Sequence, residues 1–386
     1  MFLIEDMFPE SDGYPALLPP EGTLLRGRAE ALLRLERRMF SLWLNWLCSD
    51  RNQVSGRRMF VEGLAQVEDA LAQAAGGDLP GGREWQPAPG PYFLGDRISM
   101  VDIVMAPFLE RMVASLLYYK VRGGPGATTG RRARGPSPRA RRRRRARRRR
   151  SRAPAPCLQG FRMRGDGAYP RLEAWFRAME SRDTYRGTRS DHFTHCHDLP
   201  PQLGGCGMAE EGLPYAAQLD GLAPGAWRLP LPPLSETSLE AYSPGDSPER
   251  DAVQAAAKLI GNHKNVARFA LRGVGQRGPR PVSAPLADPT AIPDESREAE
   301  VDGMLRHAAH AMLVGVEAKQ SGGHALRCAA GGEVEGGEAL SAFPVPASLG
   351  YLRDRVGVPR DLPLPAARQL RAHLNWAIDL VKQTAA

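Results

Sequence analysis

The chain has 386 residues, enough for two domains, and 42% of them are hydrophobic, although 34 Pro and 41 Gly impose much irregular structure. Its five cysteines (Cys48, Cys157, Cys196, Cys206 and Cys328) form no C-x-x-C pair and no regular framework, which excludes a disulfide scaffold and fits a reducing compartment. The net charge of +9 belongs to one segment: Val121–Pro156 carries fifteen Arg with no Lys and no acid, so the rest of the chain is mildly acidic. Met1–Asp6 lacks the basic start and long apolar region of a secretory signal.

Thr23 is placed to cap a helix running to about Cys48, with Leu25, Ala29, Leu32, Leu33, Met39, Phe40, Trp43, Trp46 and Leu47 at helical spacing. A second helix over 57–75 carries Phe60, Leu64, Val67 and Leu71 on one stripe and stops at Gly76-Gly77. After a Gly/Pro-rich loop (76–92) and a turn at Gly95-Asp96 comes Ser99-x-x-Asp102, a capping box with Asp in the usual Glu/Gln place. The helix it opens is apolar on every face, which predicts burial. Pro107 should kink it, and Asp102, Glu110 and Arg111 exclude a membrane span.

Beyond the arginine segment a helix is expected over 170–182, then a polar extended stretch to about 207. Residues 207–245 read as a Pro/Gly-rich wrap or linker. Ser247-Pro248-Glu249 caps a helix to about Leu271 that stops at Gly273. Pro293-Asp294 starts another to about Lys319, with Met304, Leu305, Ala308, Ala311, Met312 and Val316 inside. Pro363–Lys382 forms the last, with Leu370, Leu374, Ile378 and Val381 inside. Loops fill 274–292 and 320–348, and no strand pattern stands out. The fold class is all-α.

Three landmarks in order carry a family resemblance. Phe93-Leu-Gly-Asp-x-Ile-Ser-x-x-Asp-Ile103 resembles the capping motif that opens the central helix of the glutathione S-transferase C-terminal domain. Tyr169-Pro-Arg-Leu-Glu-Ala-Trp-Phe-Arg-Ala-Met179 is similar to that domain's next helix, and Ile4-Glu-Asp-Met-Phe-Pro9 with Pro15-Ala-Leu-Leu-Pro19 to the junction leaving the family's thioredoxin-like domain. Tyr351–Asp361 with Pro365–Trp376 resembles an extended plant or cyanobacterial-type member. The resemblance implies a C-terminal-domain-like helical bundle over 23–200, a remnant of the thioredoxin-like domain and linker over 1–22, a linker or wrap over 201–245, and an additional helical region over 246–384.

By the same resemblance, a full-length form would transfer glutathione to, or use it to reduce, an apolar electrophile, with glutathione as co-substrate and no tightly bound cofactor. The thioredoxin-like domain that binds glutathione is almost wholly missing ahead of Ile4, so this chain is expected to be inactive. No catalytic residue can be assigned. The alternative is a non-catalytic helical binding or assembly module. Met39, Trp43, Trp46, Phe108 and Tyr119 fall where the family lines its hydrophobic-substrate pocket, and a plain core role competes for each. Ser99 and Asp102 are structural. Expected partners are an apolar small molecule and a second copy of the chain, with no membrane, in the cytoplasm or chloroplast.

Val121–Gln159 interrupts the helical domain where a short connection is expected. Three readings stand side by side. Its GT-type and AG-type edge codons allow a retained intron; its composition fits a disordered loop; and its arginines could bind nucleic acid non-specifically or serve targeting. No aromatic residue in it could stack on a base. His192-x-x-His195-Cys196-His197 supplies zinc-type ligands but matches no closed zinc spacing, so no metal is expected and a solvent-facing connector is the plainer reading. Cys48 reads as a buried thiol and Cys206 as the more exposed one. Arg37 and Arg38 read as a solvated helix face.

Overall fold

A computed structural model describes residues 7–8, 10–48, 53–80, 88–120, 161–203, 206–209, 212–223, 225–232, 247–278, 288, 290–317 and 344–384. The junction at Ile4–Pro9, the arginine segment, Cys157 and Cys328 lie outside the described residues, except Met7 and Phe8 of the junction.

The all-α class holds, with twelve α-helices among the described residues. They sort into two packed units. The first comprises α1 (Leu24–Cys48), α2 (Gln53–Gly76), α3 (Met100–Tyr119), α4 (Pro170–Glu180), α5 (Asp183–Thr188), α6 (His192–Leu203) and α7 (Leu213–Leu219). The second comprises α8 (Pro248–Gly261), α9 (His263–Ala270), α10 (Glu298–Val314), α11 (Pro344–Arg353) and α12 (Leu364–Thr384). A two-residue antiparallel ladder, β1 (Gln276–Arg277) with β2 (Ala291–Ile292), adds a small strand pair that the sequence pattern does not announce.

Helix α1 starts where Thr23 Oγ1 accepts the Arg26 N–H at 3.1 Å, and α2 stops at Gly77, whose φ of +79° suits glycine. Helix α3 is the buried axis of the first unit, contacting α1, α6 and α7. Its start is firmer than a capping box alone. Asp102 Oδ2 accepts the Ser99 N–H at 2.8 Å and the Ser99 hydroxyl at 2.6 Å. Asp102 Oδ1 accepts the Phe93 N–H at 3.1 Å and the Trp175 indole N–H at 2.8 Å. One fully buried carboxylate thus ties the entry loop, the helix start and α4 together. Burial raises its pKa, and the four donors oppose that. The helix runs unbroken through an exposed Pro107. Ile103, expected inside, is 40% exposed.

The chain beyond the arginine segment is pinned at once. The Phe161 N–H donates to the Lys120 carbonyl at 3.0 Å, so the segment leaves and returns at one point. Phe161 then packs edge-on to Trp46 (5.1 Å) and Phe60 (6.0 Å). Arg164 pairs with Glu173 and Glu180. Helix α4 opens with Pro170 and borrows its cap from α2: Glu68 accepts the N–H groups of Arg171 (2.7 Å) and Leu172 (2.9 Å).

Several expectations are corrected. The polar extended stretch is two helices, α5 and α6. Of the two readings of 207–245, residues 212–223 and 225–232 follow the wrap, which contains α7 and packs on the core with Tyr215, Ala216 and Leu219 buried. The 247–271 helix breaks at Asn262 into α8 and α9, and the 293–319 helix begins as a 3-10 turn and ends at Gly315 (φ +88°), leaving Val316 beyond it. Helix α11 occupies part of what reads as loop and motif. Val381, placed inside, is only half-buried. No helix of the described residues is long and apolar enough to cross a membrane.

Candidate functional site

Helix α6 and the chain after it meet the second unit, and polar chemistry concentrates there. Asp191 caps α6 by accepting the Thr194 N–H at 2.9 Å, and its other oxygen pairs with Arg371 of α12 at 2.6 Å. Both side chains are almost fully buried, at 1% and 2% exposure. Burial alone would raise Asp191, but the Arg371 charge holds it below the usual carboxylate range. Arg371 also donates to the Val356 carbonyl (2.7 Å) and lies 4.3 Å over the Phe193 ring. Thr194 Oγ1 accepts the Val358 N–H at 3.1 Å, and the Ser190 hydroxyl donates to the Val358 carbonyl.

A polar stripe of α12, with Arg371 and Asn375 buried, explains this contact. Arg368, Arg371, Asn375 and Asp379 recur at helical spacing on one face. Arg368 donates to the Pro232 carbonyl at 3.0 Å, Asn375 to the Trp227 carbonyl at 3.4 Å, and Asp379 accepts from Arg228. Leu370, Leu374, Ala377 and Ile378 line the apolar face toward the second unit's core. That stripe, offset from the apolar one, is the signal by which the docking face is readable in sequence.

Above the Arg371–Phe193 contact lies a cleft of about 380 Å³, walled by Phe193, His197, Asp220 and Leu222 from the first unit and Arg353, Asp354 and Arg355 from the second. Asp220 Oδ1 meets His197 Nε2 at 2.8 Å, and Oδ2 accepts the Tyr118 hydroxyl at 2.7 Å. Burial and that carboxylate together push the Tyr118 phenol far above its ordinary pKa, so it stays a donor. Arg353 donates to Asp354 (2.7 Å) and Asn375 (2.6 Å), while Arg355 lies 3.5 Å over the Tyr351 ring.

The three histidines of α6 are not a solvent-facing connector. His192 and His195 are buried, and each ring has a separate partner on a different element. His192 Nδ1 meets the Tyr215 hydroxyl at 2.6 Å, His195 Nε2 meets Glu110 at 3.2 Å, and His197 meets Asp220. Among the described residues no group of three His, Cys, Asp or Glu converges as a metal cradle. Burial, with Arg189 adding to it, pushes the pKa of His192 down to about 3.

The residues expected to meet an apolar substrate are placed as follows. Met39, Trp43, Trp46 and Tyr119 are fully or nearly fully buried in the first core, and Phe108 is half-buried, edge-on to Phe40 at 5.1 Å. Their polar tips are engaged internally. Trp43 donates to Ser115 (3.0 Å), Trp46 to Gln53 (3.1 Å) and Tyr119 to the Cys196 carbonyl (2.8 Å). They do not line the cleft. Of the thiols, Cys48 is exposed and Cys206 half-buried, the reverse of the expected order. Trp46 and Leu47 turn inward at the end of α1, which turns Cys48 outward. Burial pushes Cys206 up to about 11, away from thiolate chemistry. Arg37 is a solvated surface group, and Arg38 reaches Gln66 at 3.1 Å.

Comparison with known proteins gives one family. Residues 28–142 match the model described as glutathione S-transferase, C-terminal domain. No curated protein and no solved structure matches the chain.

Proposed function

Because residues 28–142 are a glutathione S-transferase C-terminal domain, we propose that this chain is a transferase-like protein that holds ligands on a helical scaffold. Glutathione transfer to an apolar electrophile would require a thioredoxin-like domain in addition. The observation that carries this reading is the state of the pocket candidates. Met39, Trp43, Trp46 and Tyr119 are closed into the core, and the polar tips of Trp43, Trp46 and Tyr119 are bonded inside it. In that arrangement they offer packing rather than an open apolar wall. The phenols of Tyr118 and Tyr119 are both pushed far above their ordinary pKa, chiefly by burial, and each hydroxyl already donates inside the protein, to Asp220 and to the Cys196 carbonyl, rather than toward a thiolate.

The test is retention on glutathione-agarose together with conjugation of glutathione to 1-chloro-2,4-dinitrobenzene. The folded chain should flow through and give no rate above the spontaneous reaction. Retention that free glutathione reverses, or a saturable conjugation rate, would overturn the proposal.

A further inference from the structure

The cleft between the two units has an unequal balance of engaged groups. Its carboxylates are engaged from within: Asp220 uses its two oxygens on His197 and Tyr118, and Asp354 holds Arg353 through one oxygen. Its guanidinium groups are only partly engaged. Arg353 commits Nε to Asp354 and Nη1 to Asn375. Arg355 commits Nη1 to the Tyr351 carbonyl at 3.2 Å, and its Nε is buried with no acceptor among the described residues. Planar N–H donors left over beside engaged carboxylates favour an anion, which a guanidinium can grip through two parallel hydrogen bonds.

The walls are fixed before any ligand arrives. The Arg355 guanidinium is stacked on Tyr351, that of Arg353 lies 5.9 Å from the Trp227 ring, and Phe193 is backed by the buried Arg371. Groups held in place lose little freedom on binding. Opposite them, Leu222 is 72% exposed, and Phe193 forms a wall of the cleft with only 3% of its surface open. We infer that this cleft binds a small organic anion, its carboxylate or phosphate on Arg353 and Arg355 and its apolar end against Leu222. The inference deepens the ligand-holding reading above and supplies its site. It uses residues from the second unit, outside the matched family segment.

Calorimetric titration of the full chain with benzoate and with phenyl phosphate tests it, with inorganic phosphate added to ask whether the apolar end matters. Saturable one-site binding is expected, with Kd on the order of millimolar or tighter. Arg355→Gln should weaken it about tenfold, as loss of a charge-assisted bond does. Leu222→Trp, at an exposed position, should fill the cleft and weaken binding comparably while leaving the thermal midpoint unchanged. No saturable binding of either aromatic probe by folded protein would overturn the site, as would affinities unchanged in both variants. Because neither probe is glutathione, failure here leaves the glutathione-agarose result standing, and the converse also holds.

Discussion

The two units solve the same packing problem with different side chains. The first core is aromatic: Trp43, Trp46, Trp175, Phe60, Phe93, Phe161, Phe176 and Phe193 interdigitate, and the Trp43, Trp46 and Trp175 indoles reach a partner. Among the described residues the second has no fully buried aromatic. Ala252, Ala255, Ala256, Ala267, Ala270, Ala308, Ala366, Ala367 and Ala377 let α8, α9, α10 and α12 approach closely, with Leu and Val filling between. Large side chains specify one arrangement strongly. Small ones specify it weakly, and the second unit gains its definition from the polar face of α12 against the first.

That contrast can be broken at its seam. Arg371→Met leaves Asp191 as an uncompensated buried charge and should cost about 3–5 kcal/mol; adding Asp191→Leu should recover much of it. Chemical denaturation should then resolve the second unit melting ahead of the first. Loss below about 1 kcal/mol would mean that the ion pair does not join them.

Acid should strike the first unit next. His192 is folded with a pKa near 3 against about 6.5 unfolded, so the unfolded chain binds the extra proton between those values. Stability is therefore full above about pH 6.5 and falls by about 1.4 kcal/mol per pH unit as pH drops toward 3. His192→Gln should flatten that slope in pH-dependent denaturation; an unchanged slope would assign the acid sensitivity elsewhere.

The alanine packing is tested by Ala256→Leu, which should cost about 1–3 kcal/mol by overfilling. A neutral result would mean α8 has room. At α3, Ser99→Ala should cost about 0.5–2 kcal/mol, since Asp102 keeps its bonds from Phe93 and Trp175. The smallest effect is expected from deleting Val121–Gln159. The remaining Lys120-Gly160-Phe161 would close with the observed Phe161-to-Lys120 hydrogen bond as a three-residue γ-turn. The melting midpoint should stay equal or rise slightly, because a shorter loop has less entropy to lose. Failure of that protein to fold would show the segment belongs to the domain.

Legibility in the sequence followed range. Thr23, the Ser99–Asp102 box and Gly77 act within one turn, and all three stand where the residues predict. The long-range duties of Asp102, toward Phe93 and Trp175, have no local signal. Helix α6 was illegible for the opposite reason. Pro200-Pro201 and three histidines argue against a helix, yet the Asp191 cap and burial between α3 and the second unit override propensity. Helix α12 showed its apolar stripe, and its second stripe, through Arg371 and Asn375, marks a docking face without naming the partner. The cleft residues His197, Asp220, Arg353 and Arg355 lie far apart in the chain, and no spacing connects them.

Asp191 has a consequence for the order of assembly. It starts α6 within the first unit, while its counter-charge, Arg371, lies 180 residues further along the chain. Domains fold largely as they emerge, N-terminal first. In that order of folding the pair between Arg371 and Asp191 would form last, when α12 docks.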